Sequence, residues 1–450
     1  MKKTDNNFSR RRFIGNAALG AIGTIGVGHL LSSCSGPSGS KTELSLLPML
    51  DQAPDGVPIK AGVIGCGGRG TGAAINLLNA GPNIQVVALA DVFQDKVDNC
   101  REELKREKGV DVLVDNCFTG FDAFKRLLEN KDINYVILAT PPYFRPEHFK
   151  ACVEAGKHIF MEKPVAVDPV GARKVMAAAQ QATAAGLCVV TGTQRHHQRD
   201  YIEVYKKVVG EGALGTILSA NAYWNQPQLW YRERKPEWTD MECMLRDWVN
   251  WTWLSGDHIV EQHVHNIDVI NWFLGKFPVS AVGIGSRQRR PTGDQYDNFS
   301  VDFIYEGQVH MHSMCRQING CVNNVSEYIR GTNGYTNCSN TIWNPDGTVQ
   351  YGYEYPADES GQPGENVKVS PYDQEHIDLI TAIRTGPYIN EAEFTAKSCL
   401  TAIMGRISAY TGKEVTWDEM MSSDLQLGVS QLVMGPVDMK AVIPVPGSES

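Results

Sequence analysis

At 450 residues the chain is long for one core and ample for two domains. Its hydrophobic fraction of 42% and charged fraction of 21% are those of a soluble globular protein. A net charge of -9 excludes the basic footprint that nucleic-acid phosphates require, so no nucleic acid is expected as a partner. There is no fixed-period repeat, and nothing after residue 40 approaches a membrane-spanning apolar run.

The first element in chain order is a targeting segment. SRRRFIG (9–15) fits the twin-arginine export pattern, with Arg10 and Arg11 as the pair. The weakly apolar run NAALGAIGTIGVGHLL and then LSSC follow. That order predicts an export signal over residues 1–33 rather than a short membrane anchor, with Cys34 lipidated as the mature N-terminus. The expectation is a periplasm-facing membrane lipoprotein. Residues 34–58 form its linker, and SGPSGSK starts that linker as a flexible tether. The other ten of the 11 cysteines show no CxxC spacing, so neither a disulfide framework nor a zinc ribbon is expected.

From residue 59 the pattern becomes periodic. IKAGVIGCGGRGTGAAINLLNAG is a β-rich run, a glycine cluster and a helical run. Gly65, Gly67 and Gly70 form G-x-G-x-x-G at the junction, with Gly68 and Arg69 inside it. The first glycine permits a tight turn, the second lets a pyrophosphate approach, and the third lets the helix pack on the strand. The helix N-terminus then faces the phosphate charge. IQVVALAD follows as a strand ending in Asp91, whose carboxylate suits the adenosine ribose hydroxyls and repels a 2′-phosphate. This favours NAD over NADP, with Arg69 or Lys96 as alternative receivers of that phosphate. YVILATPP (135–142) and HIFMEKP (158–164) supply further strands, and the alternation with helical runs predicts a doubly wound parallel α/β domain over 59–192.

GVIGCGGRG, ALAD, ILATPPYFRPEHFKACVEAGKHIFMEKPVA and the later VHNIDVINWFLG resemble the Gfo/Idh/MocA oxidoreductases. The resemblance covers residues 59–420, and the E-K-P element is its most specific part. It implies a Rossmann domain followed by an α/β domain with a large, mostly antiparallel open sheet, through which a homo-oligomer would form. Substrate would lie between that sheet and the nicotinamide of a tightly held NAD, and a sugar or cyclitol hydroxyl would be oxidised. Thr140, Pro141, His148 and Glu162 are implied as cofactor contacts with Lys163. In similar proteins the bond corresponding to Lys163–Pro164 is often cis. Physically, Lys163 stands just past the C-terminal end of a parallel strand, the edge where open α/β sheets bind ligands. There it could hydrogen-bond the reacting hydroxyl and share its proton.

The second domain is expected over 193–420, after VVTGTQRHHQRDY, with a tail over 421–450. Similar proteins contact substrate from this junction, which makes Gln194, Arg195, His196 and Tyr201 candidates; interdomain hydrogen bonding is the other reading. NAYWNQPQLWYRERKPEW and MLRDWVNWTWL are rich in Trp, Tyr and Arg, which suits a sugar. Arg246 and Trp251 are taken from them as pocket candidates, against a core or interface role. LSANAYW, SAVGIGSRQ, NFSVDFIY and QVHMHSMCRQ read as strands, and His310 and His312 share a face. Residues 371–412 read as amphipathic helices, which the resemblance packs back on the nucleotide domain.

DHIVEQHVHNID (257–268) carries three histidines, two aspartates and a glutamate. On a helix, His258, Glu261, His265 and Asp268 share one side, and His263 falls among apolar residues on the other. His263 is therefore expected to be packed and hydrogen-bonded. A metal could use His258, Glu261 and His265, but H-x-x-x-H and H-E-x-x-H spacings are missing and no metal centre is predicted. The resemblance makes His265 the proton acceptor, oriented by Glu261 or Asp268, with Lys163 polarising the oxygen; His258 is a further substrate-binding candidate whose role the sequence leaves open. The reading that follows is an NAD(P)-dependent oxidoreductase of a sugar or cyclitol hydroxyl. The alternatives are an NAD-dependent glycosidase or lyase working by transient oxidation, and a carbohydrate-binding lipoprotein without turnover.

Overall fold

The computed structural model describes residues 44, 46–356, 369–438 and 440–448. The predicted export signal and Cys34 lie outside them. Among the described residues no helix is long and apolar enough to cross a membrane.

The nucleotide half runs β1 (Ile59–Ile64), α1 (Gly68–Asn79), β2 (Ile84–Asp91), α2 (Gln94–Lys108), β3 (Cys117–Thr119) and α3 (Ala123–Glu129). It continues through β4 (Tyr135–Leu138), α4 (Arg145–Glu154), β5 (His158–Met161), α5 (Pro169–Ala184) and β6 (Val189–Thr191). The strands pair in parallel in the order β3-β2-β1-β4-β5-β6. Every residue of β4 is buried, as a central parallel strand covered by helices on both faces requires. This is the doubly wound sheet expected from the alternation. The short β3 went unread in the sequence, because three half-buried residues carry no period.

Two glycines shape the junction after β1. Gly65 has φ +97°, and a Cβ there would lie 2.5 Å from the Thr140 backbone nitrogen. A Cβ on Gly70 would lie 1.8 Å from the Gly65 carbonyl oxygen, so α1 can approach the loop only without a side chain.

The second half runs α6 (Arg199–Tyr205), β7 (Ile217–Gln226), α7 (Asp240–Arg246), α8 (Thr252–Ser255), α9 (His258–Glu261) and α10 (Val264–Leu274). Next come β8 (Ser280–Ser286), β9 (Asn298–Tyr305), β10 (Val309–Gln317), β11 (Asn324–Gly331), β12 (Gly334–Thr336), β13 (Thr341–Trp343) and β14 (Val349–Gly352). The chain closes with α11 (Pro371–Thr385), α12 (Ala392–Thr411), β15 (Val415–Thr416) and α13 (Trp417–Ser422). Nine strands pair in the order β14-β13-β12-β11-β7-β10-β9-β8-β15, antiparallel except for β7 with β10. This is the large, mostly antiparallel sheet the resemblance implied.

Burial alternates along β9, with Phe299, Val301, Phe303 and Tyr305 turned inward. On that inner face lie α9, α10 and α12. On the other face Ile284 and Met314 share a row through Ser300, and His310 and His312 stand exposed on the same side. α11 packs on α1, β5 and β6, whereas α12 lies between α5 and the second sheet.

Candidate active site

A cavity of about 620 Å³ lies at the C-terminal ends of the parallel strands. Of the residues assigned to the cofactor, Gly65, Gly67, Gly68, Arg69, Asp91, Thr140, Pro141 and His148 line it. Gly70, Glu162 and Lys163 do not. A Cβ on Gly67 or Gly68 would meet nothing within 4 Å, so the loop leaves an open cradle. The first turn of α1 has no acidic residue and no side-chain cap, which leaves its amides to an anion. These features fit the pyrophosphate of a dinucleotide.

Asp91 ends β2 and accepts hydrogen bonds from the amides of Cys66 (2.8 Å) and Phe93 (2.9 Å). Burial raises its pKa. Its oxygens retain lone pairs for ribose hydroxyls. Arg69, considered in the sequence as a phosphate receiver, is already engaged by carboxylates. Its guanidinium bonds Glu162, lies 3.5 Å from Glu375 and covers the Tyr372 ring at 4.9 Å. Glu162 is thereby held by Arg69.

Lys163 precedes Pro164 across a cis peptide bond. Its Nζ donates to the Glu261 carbonyl oxygen and lies 3.2 Å from Glu261 Oε1. His265 lies in the first turn of the next helix, stacked on the Trp224 indole with centroids 5.5 Å apart. No described residue hydrogen-bonds its ring. Burial, then the charges of Lys163, Arg195 and Arg69, hold its pKa well below that of an ordinary histidine. These causes favour the neutral imidazole, the form able to accept a proton.

The predicted support for His265 is corrected. The helix breaks between Glu261 and Val264, so the segment is not one continuous face. Glu261 turns to Lys163, and Asp268 Oδ2 lies 2.6 Å from His196 Nε2. Neither carboxylate orients His265; stacking on Trp224 fixes its plane instead. His258 is 2% exposed and pairs with Asp257 at 3.0 Å. His263 is buried, with Nε2 2.7 Å from Ser313 Oγ.

The junction candidates divide as well. Arg195 Nη1 lies 2.7 Å from Glu327 Oε1, and the Tyr201 hydroxyl donates to Glu327 Oε2 at 3.1 Å. His196 stacks on Trp272 at 4.2 Å besides pairing with Asp268. Tyr201 and His196 are thus engaged by the Glu327 and Asp268 carboxylates of the second half. Gln194 keeps a buried Oε1 without a hydrogen-bond partner. Trp251 packs in an apolar cluster with Met244 and Leu254. Arg246 lines the nucleotide cavity, not a sugar pocket, and so do Trp230, Trp238 and Trp248. Sequence reasoning missed Trp224 and Glu327. The only available sign was their alternation with small residues on β7 and with Ile329 on β11.

Two buried histidines predict a pH response. Burial, then Arg145, pushes His148 down to about 3, and burial, then His258 and Arg195, pushes His263 down to about 3. In the unfolded chain both protonate near ~6.5. Their folded pKa values are depressed, so their stability is present above about 6.5 and is lost as pH falls toward about 3. Each contributes a slope of about 1.4 kcal/mol per pH unit between those limits. Urea midpoints measured at successive pH values should fall below neutrality, with a shallower slope in His263→Asn.

Residues 59–198 match a family model described as oxidoreductase family, NAD-binding Rossmann fold. Residues 202–336 match the GFO/IDH/MocA C-terminal domain. The chain spans about half the length of the curated relatives it matches first. Inositol 2-dehydrogenase of Salmonella typhimurium is 22% identical over 48% of this chain and 55% of its own. A glycosyl hydrolase family 109 protein of Solibacter usitatus is 30% identical over 35% of this chain and 33% of its own. The structure of scyllo-inositol dehydrogenase from Lactobacillus casei with bound NAD(H) and scyllo-inositol covers 80% of this chain and 99% of its own. Its TM-score is 0.58 at 19% identity, a likeness of fold. Two consecutive matches, on the two sheets that frame the dinucleotide cradle and the Lys163–His265 pair, place the chain in the Gfo/Idh/MocA oxidoreductase family.

Proposed function

We propose that this chain is an NAD-dependent oxidoreductase that moves hydride between the nicotinamide and a secondary hydroxyl of a sugar or cyclitol. The observation that carries the reading is the His265 imidazole, stacked on Trp224 and without a hydrogen-bond partner among the described residues, together with the Lys163–Glu261 pair; burial favours its neutral form. A bound NAD supplies the hydride acceptor. Two of the Lys163 N–H groups face Glu261, which leaves the third for the substrate hydroxyl. That contact stabilises the oxygen as it loses its proton, and His265 accepts the proton. Family relatives named as inositol dehydrogenases support a ring polyol as substrate.

The test is to assay the purified protein for bound NAD(H) and offer a panel of hexoses and inositols. Bound-cofactor absorbance and product mass are followed. A keto product with reduced nucleotide supports the reading. Release of a sugar without net reduction replaces it with redox-neutral cleavage, and failure to bind any nicotinamide nucleotide overturns it.

NAD preference rests on Asp91. Asp91→Asn, which keeps the shape and removes the charge, should lower the ratio of kcat/KM for NAD over NADP by about tenfold or more. Steady-state kinetics with both nucleotides measures it.

The twin-arginine pair and LSSC support export and a lipid anchor on Cys34, with the folded part facing the periplasm. There a second substrate would restore the oxidised site, since no nucleotide pool is at hand. The exposed Ile284 and Met314 on the outer row support a homo-oligomer through the open sheet.

A further inference from the structure

Part of the cavity wall comes from the second domain. Residues 227–248 leave β7 and return as α7, and Trp230, Arg232, Lys235, Trp238, Arg246 and Trp248 share the cavity with Asp91 and Phe93. Arg246 joins this segment to the nucleotide domain. Its Nη1 and Nη2 donate to the two oxygens of Asp95 at 3.1 and 2.9 Å, and its Nε donates to Glu242 at 2.9 Å. The guanidinium also lies 4.0 Å over the Phe93 ring. A planar fork held at both edges and one face has little freedom to swing aside. The Arg246 hydrogen bond holds the Asp95 carboxyl below its usual pKa, consistent with a maintained pair.

The segment is braced from behind as well. Asp247 accepts the Arg232 amide at 2.8 Å. The Met241 amide donates to the Gly435 carbonyl at 3.1 Å, and the Val437 amide donates to Asp240 at 3.2 Å. Leu427, Val429 and Val437 of the C-terminal tail pack with Met241, Met244 and Leu245. The tail, uninterpreted in the sequence, backs α7. Arg232 and Lys235 lie over the Trp230 and Trp238 rings and add positive charge to the lining, which suits a ligand carrying phosphates.

We propose that residues 227–248 are the second half of the nucleotide site, a roof over its adenosine part. The Arg246–Asp95 pair is the latch that retains the dinucleotide between turnovers. This rests on the NAD reading above and extends it: Asp91 sets which nucleotide enters, and Arg246 sets how long it stays. Departure requires both Asp95 hydrogen bonds and the ring contact to open together.

The experiment uses the full chain loaded with radiolabelled NAD and chased with unlabelled NAD. Release is timed for the wild type, Arg246→Ala, Asp95→Ala and the double variant. Each single variant should release label about tenfold faster, the factor that ~1.4 kcal/mol produces. The double variant should be no faster than the faster single, because a pair broken once has nothing more to lose. Asp95 is half-exposed on α2, so its variant tests the latch even if Arg246→Ala folds poorly. Multiplying effects in the double variant, or release at the wild-type rate in both singles, overturns the latch while the NAD reading stands. If the wild type takes up no label, the NAD reading fails and the latch with it.

Discussion

His265→Ala is expected to lower kcat by about 10²–10⁴-fold, the usual contribution of a positioned general base. Nucleotide uptake should persist, because His265 does not line the cavity that holds the cradle. As the proposed base, His265 has no carboxylate support: Glu261 is engaged by Lys163 and Asp268 by His196. Substituting Asp268 should therefore act mainly through stability, and substituting Trp224 should impair turnover by freeing the imidazole plane. Lys163→Ala should lower kcat by a similar order, but it also strands the buried Glu261 carboxylate. Comparison with Lys163→Ala/Glu261→Gln separates the two effects. The wild-type profile of kcat/KM should show its acid limb well below pH 6.5, since burial and nearby cations keep His265 neutral there. Unchanged turnover in both single alanine variants, measured by nucleotide absorbance, removes the site assignment.

Glu327→Ala is expected to destabilise the fold by about 3–5 kcal/mol, the cost of leaving a buried charge without its partner. Glu327 sits on β11 at 2% exposure, and burial raises its pKa. It receives Asn266 Nδ2 at 2.6 Å and the Tyr201 hydroxyl at 3.1 Å, and it pairs with Arg195 at 2.7 Å. One carboxylate thus ties the sheet to α10, to α6 and to the loop after β6. Removing it leaves the Arg195 guanidinium buried next to His265. Urea unfolding should show the midpoint drop. Glu327→Gln, which retains hydrogen-bond capacity, should lose less. A loss below about 1 kcal/mol for the alanine variant would show that water compensates Arg195 and that the tie is weak.

How far these residues could be read depends on the range of the interactions that place them. G-x-G-x-x-G followed by Asp91 and the strand before Lys163 was legible, since the turn, the helix start and the strand end lie within a few residues. Glu327 was hidden because a buried carboxylate on β11 breaks the apolar alternation that marks a strand. Which part of the cavity Arg246 lines was not legible, because Trp-Arg composition suits a sugar and a nucleotide equally well. The segment 257–268 was read as one helix, and the break after Glu261 rotates the two carboxylates toward different partners.

The sequence by itself determined the alternating strands and helices of the nucleotide half and the dinucleotide cradle, and its motifs pointed to the family and so to the second sheet. Period, turn chemistry and local motif spacing act along the chain, so they are written in it. Only the tertiary structure decided which charge meets which. Glu261 meets Lys163 across 98 positions, Asp268 meets His196 across 72, and Arg246 meets Asp95 across 151. A buried or half-buried charge takes the partner that packing brings within hydrogen-bond reach, and that neighbour is set by how the two sheets and their helices stack.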